Sequence, residues 1–254
     1  MSEHLYKYLR TETFPTPFCA GCGHGILMGV ILRAIDELKL DFKKMVFVSG
    51  IGCGAWIPSP HFKTDTLHTL HGRPVAYATG VKKANPELKV VVISGDGDLA
   101  AIGGNHLIHA ARRNVGLTVI CANNSIYGMT GGQLSPTTPK NTKTMTTVMG
   151  NPEEAFDLCK LVKACGAKYV ARYTVFHTKP LIKAIKTALN TDGFSFIDVV
   201  SPCPTQYGRR NQLPTLYDMY AFIKNRLVHF DALKKYKKEE LAEKIIIGEY
   251  RDED

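Results

Sequence analysis

The chain has 254 residues, 44% hydrophobic and 22% charged, with a formal net charge of +9. That is enough chain to build a substantial core in one large α/β domain or two small ones, and it excludes a disordered polymer or a fibrous chain. No apolar run, 90–93 included, approaches bilayer length, and no Cys/His finger or RNA-binding aromatic signature is present, so neither a membrane nor nucleic acid is an expected partner.

The N-terminal stretch MSEHLYKYLR lacks the apolar centre of a secretion signal, so the cytoplasm is the expected location. After Pro15 and Pro17, Cys19 and Cys22 form a CxxC turn that leads into a predicted helix over 25–38. A first apolar strand over 45–50 ends in Gly50-Ile51-Gly52-Cys53-Gly54, and His71 follows in a loop, LHGRP. The next strand, 90–98, ends in Gly95-Asp96-Gly97-Asp98 and precedes a helix over 103–113. A third strand, 116–124, ends in Asn123-Asn124. The order Asn151-Pro152-Glu153 reads as a capped helix start, with proline at the first position, and predicts a helix over 151–165. A helix over 178–189 and a fourth strand, 194–203, ending in Ser201-Pro202-Cys203, complete the pattern. The remainder is expected to be a charged helix over 222–241, and most of the basic excess lies late in the chain: Arg209, Arg210, Lys234, Lys235, Lys237 and Lys238. Such a surface suits an anionic substrate or an acidic protein, or is a solvated helix face.

Continuous apolar strands alternating with helices imply an α/β fold with a doubly wound, mostly parallel sheet covered on both faces. Two regions are expected: a cofactor-binding domain over 1–215 and a basic helical extension over 216–254. In such sheets ligands bind beyond the carboxyl ends of the strands, and here each of the four predicted strands ends in unusual chemistry.

Asp96 and Asn124 stand on two of these ends, 30 residues apart counted from Gly95 to Asn124, which is room for a helix and a return strand. A carboxylate and an amide oxygen are hard donors of the kind Mg²⁺ takes, with phosphate, water or carbonyl oxygens completing an octahedron. Glycines beside Asp96 let backbone amides approach a phosphate. A plain strand-end turn could also use Asp and Asn as caps. The pair GDG…NN resembles the thiamine-diphosphate fingerprint. That likeness implies Mg²⁺ held by the Asp96 and Asn124 side chains and the Ile126 carbonyl, and cofactor contacts from Gly97, Asp98, Gly128 and Met129.

Seven cysteines, an odd number without a secretion signal, argue for metal ligation or burial rather than disulfides. Cys121 inside a strand and Cys159 and Cys165 in a helix read as buried structural thiols. Cys19, Cys22, Cys53 and Cys203 converge on one sheet edge, and four thiolates suit either zinc or a [4Fe–4S] cluster.

Taken in order, CAGCGHG, GIGC, HGR, GDGD, NN-x-x-YGMTGGQ-x-SPTTP and SPCPTQYGRRN resemble the beta subunit of 2-oxoacid:ferredoxin oxidoreductases over about residues 14–215. MTGGQ and SPCPTQYGRRN are most similar to the 2-oxoglutarate branch; some broad-specificity or pyruvate-type relatives carry lysine where Gly131 stands here, and pyruvate or a branched-chain 2-oxoacid are the alternative substrates. The resemblance implies a thiamine-diphosphate-binding fold, a [4Fe–4S] cluster on Cys19, Cys22, Cys53 and Cys203, and cofactor contacts from Ile51, Gly52, Cys53 and Gly54, with His71 and Thr79 as further candidates. It implies CoA-dependent oxidative decarboxylation, for 2-oxoglutarate giving succinyl-CoA and CO₂, with electrons passed to ferredoxin. It also implies an alpha subunit that supplies the glutamate acting on the aminopyrimidine, in an assembly that can reach a dimer of heterodimers, with Arg209 and Arg210 at the subunit contact or the site wall. Two different classes compete: a non-oxidative thiamine enzyme, in which the four thiols have no role, and a non-catalytic zinc-binding scaffold, which has no need of GDGD…NN.

Overall fold

The computed structural model describes residues 3–251 other than 242. In chain order the elements are α1 (His24–Glu37), β1 (Met45–Ser49), β2 (Asp65–His68), α2 (Pro74–Ala84), β3 (Lys89–Gly95), α3 (Gly104–Arg112), β4 (Leu117–Asn123), α4 (Leu158–Ala164), β5 (Tyr169–Thr174), α5 (Thr178–Asn190), β6 (Ser195–Val200), α6 (Leu216–Lys224), β7 (Leu227–His229), α7 (Lys238–Leu241) and β8 (Ile245–Glu249). They form one eight-stranded sheet in the order β2-β1-β3-β4-β6-β5-β8-β7. All neighbours pair in parallel except β5 and β8, which are antiparallel. The doubly wound α/β expectation holds.

Each face of the sheet buries a core. One packs Phe47, Ile93, Ile120 and Ile197 under α1 and α5; the other packs Val92, Val119 and Phe196 under α2, α3 and α4. Burial on both sides explains why β4 reads as an unbroken apolar run rather than an alternation. The strand order reverses at β1, whose neighbours are β2 and β3. Crevices at such a reversal, beyond the carboxyl ends, are where doubly wound sheets take ligands.

Two expected helices are revised. The one over 151–165 begins only at Leu158, because Asp157 caps it by accepting from Cys159 N at 3.2 Å and Lys160 N at 3.3 Å. Asn151 closes a loop instead: its Oδ1 accepts from Glu153 N at 3.0 Å and its Nδ2 donates to the Thr138 carbonyl at 2.8 Å. The helical extension over 216–254 is also corrected. Beyond α6 the described residues form β7, the short α7 and β8, and β8 pairs with β5, so this segment completes the main sheet; residues 242 and 252–254 lie outside the described residues. The β-branched run Ile245-Ile246-Ile247 favours a pleated, half-buried strand over a helix, while Lys234, Lys235, Lys237 and Lys238 stay exposed.

A buried polar network anchors that last strand. Arg172 stands opposite Asp198 in the β5–β6 register, and its Nε donates to Asp198 Oδ2 at 2.7 Å. Its Nη2 donates to Asp157 at 2.7 Å and its Nη1 to the Tyr250 hydroxyl at 2.7 Å; that hydroxyl donates in turn to the Ile246 carbonyl at 3.1 Å. Asp198 is 0% exposed. Arg172→Met would leave that carboxylate without its counter-charge, at a cost of about 3–5 kcal/mol. Urea denaturation of the purified protein checks this; a loss below about 1 kcal/mol would place the network among weak, solvent-screened pairs.

Candidate functional site

The carboxyl ends of four adjacent parallel strands, β1, β3, β4 and β6, deliver the loops that hold the candidate residues. Over them lies a cavity of about 340 Å³, walled by His24, residues 51–54, His71, residues 95–98, Ala122, Asn124, residues 126–130 and Gln133. Of the residues expected to touch a cofactor, Ile51, Gly52, Cys53, Gly54, His71, Gly97, Asp98, Gly128 and Met129 all line this cavity, as do Asp96, Asn124 and Ile126. Thr79 does not: its hydroxyl donates to the Val75 carbonyl at 2.7 Å, within its own helix.

Asp96 is 1% exposed. Its Oδ2 accepts from Ser135 Oγ at 2.6 Å and Thr137 Oγ1 at 2.5 Å, and its Oδ1 from Asn124 N at 3.2 Å. No basic group is among these partners, and burial pushes its carboxyl above the usual carboxylate range against those hydrogen bonds. A divalent cation would relieve that cost, so the donor set fits Mg²⁺. Ser135 and Thr137 received no separate role from the sequence; the only signal was the small hydroxyl residues of SPTTP.

Asp98 does something different from Asp96, two residues away. Its carboxylate accepts from Gly72 N at 2.7 Å, Ile51 N at 3.1 Å, His71 Nδ1 at 2.6 Å and Ser94 Oγ at 2.7 Å. It therefore ties the loops after β1 and β2 to the end of β3. Glycine at position 50 makes this possible, since a Cβ there would sit 2.0 Å from Asp98 Oδ2.

The four cysteines expected to act together do come together. Cys22 N donates to the Cys19 carbonyl at 3.0 Å, closing the CxxC turn. Burial pushes the Cys22 thiol up to about 12 and the Cys53 thiol up to about 11, and in both cases the neighbouring thiols Cys203 and Cys19 add to the rise. Four neighbouring thiols are a donor set that an iron–sulfur or zinc site takes. Among the described residues, no three His, Cys, Asp or Glu side chains are close enough to hold a single metal ion. Cys121 and Cys159 are buried, as expected of structural thiols, and Cys165 is partly exposed.

Gly128 stands where the two sets meet. A Cβ on it would lie 3.6 Å from Cys203 Sγ, 3.6 Å from Cys53 Sγ and 3.7 Å from Asn124 Nδ2. Of the two arginines that follow, Arg210 holds the Gly131 carbonyl at 2.9 Å while Arg209 is exposed.

The family model for the C-terminal TPP-binding domain of thiamine pyrophosphate enzymes matches residues 20–199. That span contains Asp96, Asn124, Cys22 and Cys53 and stops short of Cys19 and Cys203. The 2-oxoglutarate synthase subunit KorB of Methanocaldococcus jannaschii is 52% identical over 246 residues, 97% of this chain and 91% of that protein. The 2-oxoacid:ferredoxin oxidoreductase subunit beta of a Sulfolobus species is 41% identical over 232 residues, 90% of this chain and 74% of that protein. Among solved structures, a 2-oxoglutarate:ferredoxin oxidoreductase from Magnetococcus marinus, with 2-oxoglutarate, coenzyme A and succinyl-CoA bound, superposes with a TM-score of 0.84 at 34% identity, covering 96% of this chain and 83% of that one. Among the described residues, no helix is long and apolar enough to cross a membrane.

Proposed function

The chain belongs to the thiamine pyrophosphate enzymes, and within them to the beta subunits of 2-oxoacid:ferredoxin oxidoreductases of the 2-oxoglutarate synthase type; from this we propose that its cavity takes thiamine diphosphate through Mg²⁺ and that its four thiols take a [4Fe–4S] cluster. The observation that carries the reading is Gly128, whose Cα is the shared wall of the thiol set and the Asn124 amide. Two sites meeting there suit a reaction in which electrons leave the substrate beside the point of bond cleavage, and neither a non-oxidative thiamine enzyme nor a zinc scaffold needs that junction.

When bound, thiamine diphosphate supplies the carbanion chemistry for loss of CO₂ from the 2-oxoacid, and the cluster takes the released electrons singly. The chain's own residues have narrower tasks. Asp96 and Asn124 side chains and the Ile126 carbonyl hold the metal, and Gly97 lets the Tyr127 ring close against the loop, since a Cβ there would sit 2.5 Å from that ring. Asp98 fixes the loop that carries Cys53. Gly52, Gly54 and Met129 complete the wall. Cys19, Cys22, Cys53 and Cys203 hold the cluster. The substrate is 2-oxoglutarate, oxidised with CoA to succinyl-CoA and CO₂; relatives of that type reach 52% identity, against 41% for the broader 2-oxoacid enzymes. The glutamate that acts on the aminopyrimidine and the CoA site come from an alpha subunit, and ferredoxin is the acceptor.

The test is a thiamine, magnesium, iron and sulfide inventory of the anaerobically purified complex; zinc in place of iron would sink the cluster assignment. A second expectation concerns the +9 charge. Ferredoxins are commonly acidic, so complementary charge should speed encounter more than it tightens binding. As the Debye length falls to about 8 Å near physiological salt, ferredoxin reduction should slow across a salt series while reduction of a small neutral dye barely changes. Salt-independent ferredoxin reduction would remove the role given to the basic surface.

A further inference from the structure

His71 enters the cavity wall with one ring nitrogen already committed. Its Nδ1 lies 2.6 Å from Asp98 Oδ1; the Asp98 side chain is 1% exposed, while that of His71 is 38% exposed. An ionised carboxylate only accepts, so Nδ1 carries a proton and donates it. Asp98 cannot follow the ring, because Ile51 N, Gly72 N and Ser94 Oγ hold the same carboxylate. On its other side the His71 ring meets the edge of Tyr127, with centroids 5.9 Å apart at 64°, and the Tyr127 hydroxyl donates to the Gly97 carbonyl at 3.0 Å. The imidazole is thus fixed from two directions by parts of the diphosphate loop. Nε2, at the opposite edge of the ring, has no hydrogen-bond partner among the described residues. This is the arrangement of a ring held for work at its free nitrogen.

We propose that His71, oriented by Asp98, is a catalytic residue of this chain, and that its Nε2–H donates to the 2-oxo oxygen of the substrate as the adjoining carbon becomes tetrahedral. As the new bond forms at that carbon, the π pair of the carbonyl moves onto oxygen. The Nε2–H group meets the charge there, and the proton stays on nitrogen, so the step balances without a further acid. Donation at Nε2 needs the imidazolium form, and the buried Asp98 carboxylate is its counter-charge. Asp98 is the positioning residue of the pair. The oxygen gains its full charge only after addition, so the contact stabilises the transition state more than the bound ground state and acts on kcat rather than KM.

The proposal rests on the reading of this cavity as the thiamine diphosphate site, and the experiment separates the two. The assembled complex would be purified with wild-type chain, His71→Ala and His71→Gln, and each analysed for thiamine diphosphate, iron, kcat and KM for 2-oxoglutarate. His71→Ala should lower kcat about 10²-fold, the loss that goes with one oxyanion donor, with KM nearly unchanged and thiamine diphosphate and iron at wild-type content. His71→Gln keeps an amide N–H within similar reach and should retain clearly more activity. Unchanged kcat in His71→Ala would overturn the proposal. So would a thiamine diphosphate content that falls with the activity, since that makes His71 a holder of the cofactor, and so would a glutamine variant no better than alanine. A wild-type complex without thiamine diphosphate would instead overturn the reading of the cavity.

Discussion

Asp96→Ala is expected to give a complex that purifies with its iron but without thiamine diphosphate. Two buried carboxylates line the cavity among the described residues: Asp98 is taken up by two amides, a hydroxyl and His71, while Asp96 has no basic or ring partner. Its two oxygens already receive Ser135, Thr137 and the Asn124 amide, which aim the carboxylate in the way outer partners aim a metal ligand. Losing one such outer partner typically costs about 10–100-fold in metal affinity. Ser135→Ala should fall in that range, and removal of the ligand itself should exceed it. Asn124→Ala should follow Asp96→Ala, because a near-octahedral Mg²⁺ site tolerates a missing oxygen poorly. The measurement is thiamine diphosphate retained after gel filtration, with iron assayed in the same fractions. Full retention in both Asp96→Ala and Asn124→Ala would sink the metal-site assignment.

Cys203→Ser should bleach the broad visible absorbance of the complex and stop electron delivery to ferredoxin, with 2-oxoglutarate oxidation lost as a consequence. Cys203 reaches the thiol set from the end of β6, whereas Cys19 and Cys22 come from the turn before α1 and Cys53 from the loop after β1. One thiolate in four is removed, and serine is a poor replacement for a soft ligand. Cys159→Ser is the control. Cys159 is 0% exposed on α4, on the other face of the sheet, with its thiol 3.8 Å from the Ala171 carbonyl. It should cost some stability and leave the absorbance intact. Bleaching by Cys159→Ser but not by Cys203→Ser would mean the ligands have been sorted wrongly.

Much of this was legible in the amino-acid order because the physics involved is local. Four buried strands read as apolar runs since a parallel sheet covered on both faces has no solvent side to impose alternation. The short loops that end them must carry glycine where backbone crowds backbone, and they show their chemistry directly as GIGC, GDGD, NN and SPC. The wide spacing of Cys19, Cys22, Cys53 and Cys203 also pointed to one edge, because parallel strands put all their carboxyl ends on the same side.

The sequence was misleading where a local signal competed with a long-range partner. Asn151-Pro152 has the form of a helix start, but the Asn151 side chain is taken by Thr138 and Glu153, and the cap falls to Asp157. The lysine-rich end reads as a helix, yet Ile245-Ile246-Ile247 found an open sheet edge and Tyr250 found Arg172. The two aspartates of GDGD show the limit most clearly. As letters they are equivalent, and only the family resemblance gives Asp96 to Mg²⁺ and Asp98 to the cofactor. Which one remains available for a cation and which becomes a brace depends on what lies opposite each side chain: Ser135 and Thr137 for Asp96, and Ile51, Gly72, Ser94 and His71 for Asp98. All but Ser94 of those partners come from distant loops, brought there by strand order. The residue types and their spacing determined the family; hydrogen bonds between loops that only the folded sheet brings together decided which groups around the cavity are committed to holding it.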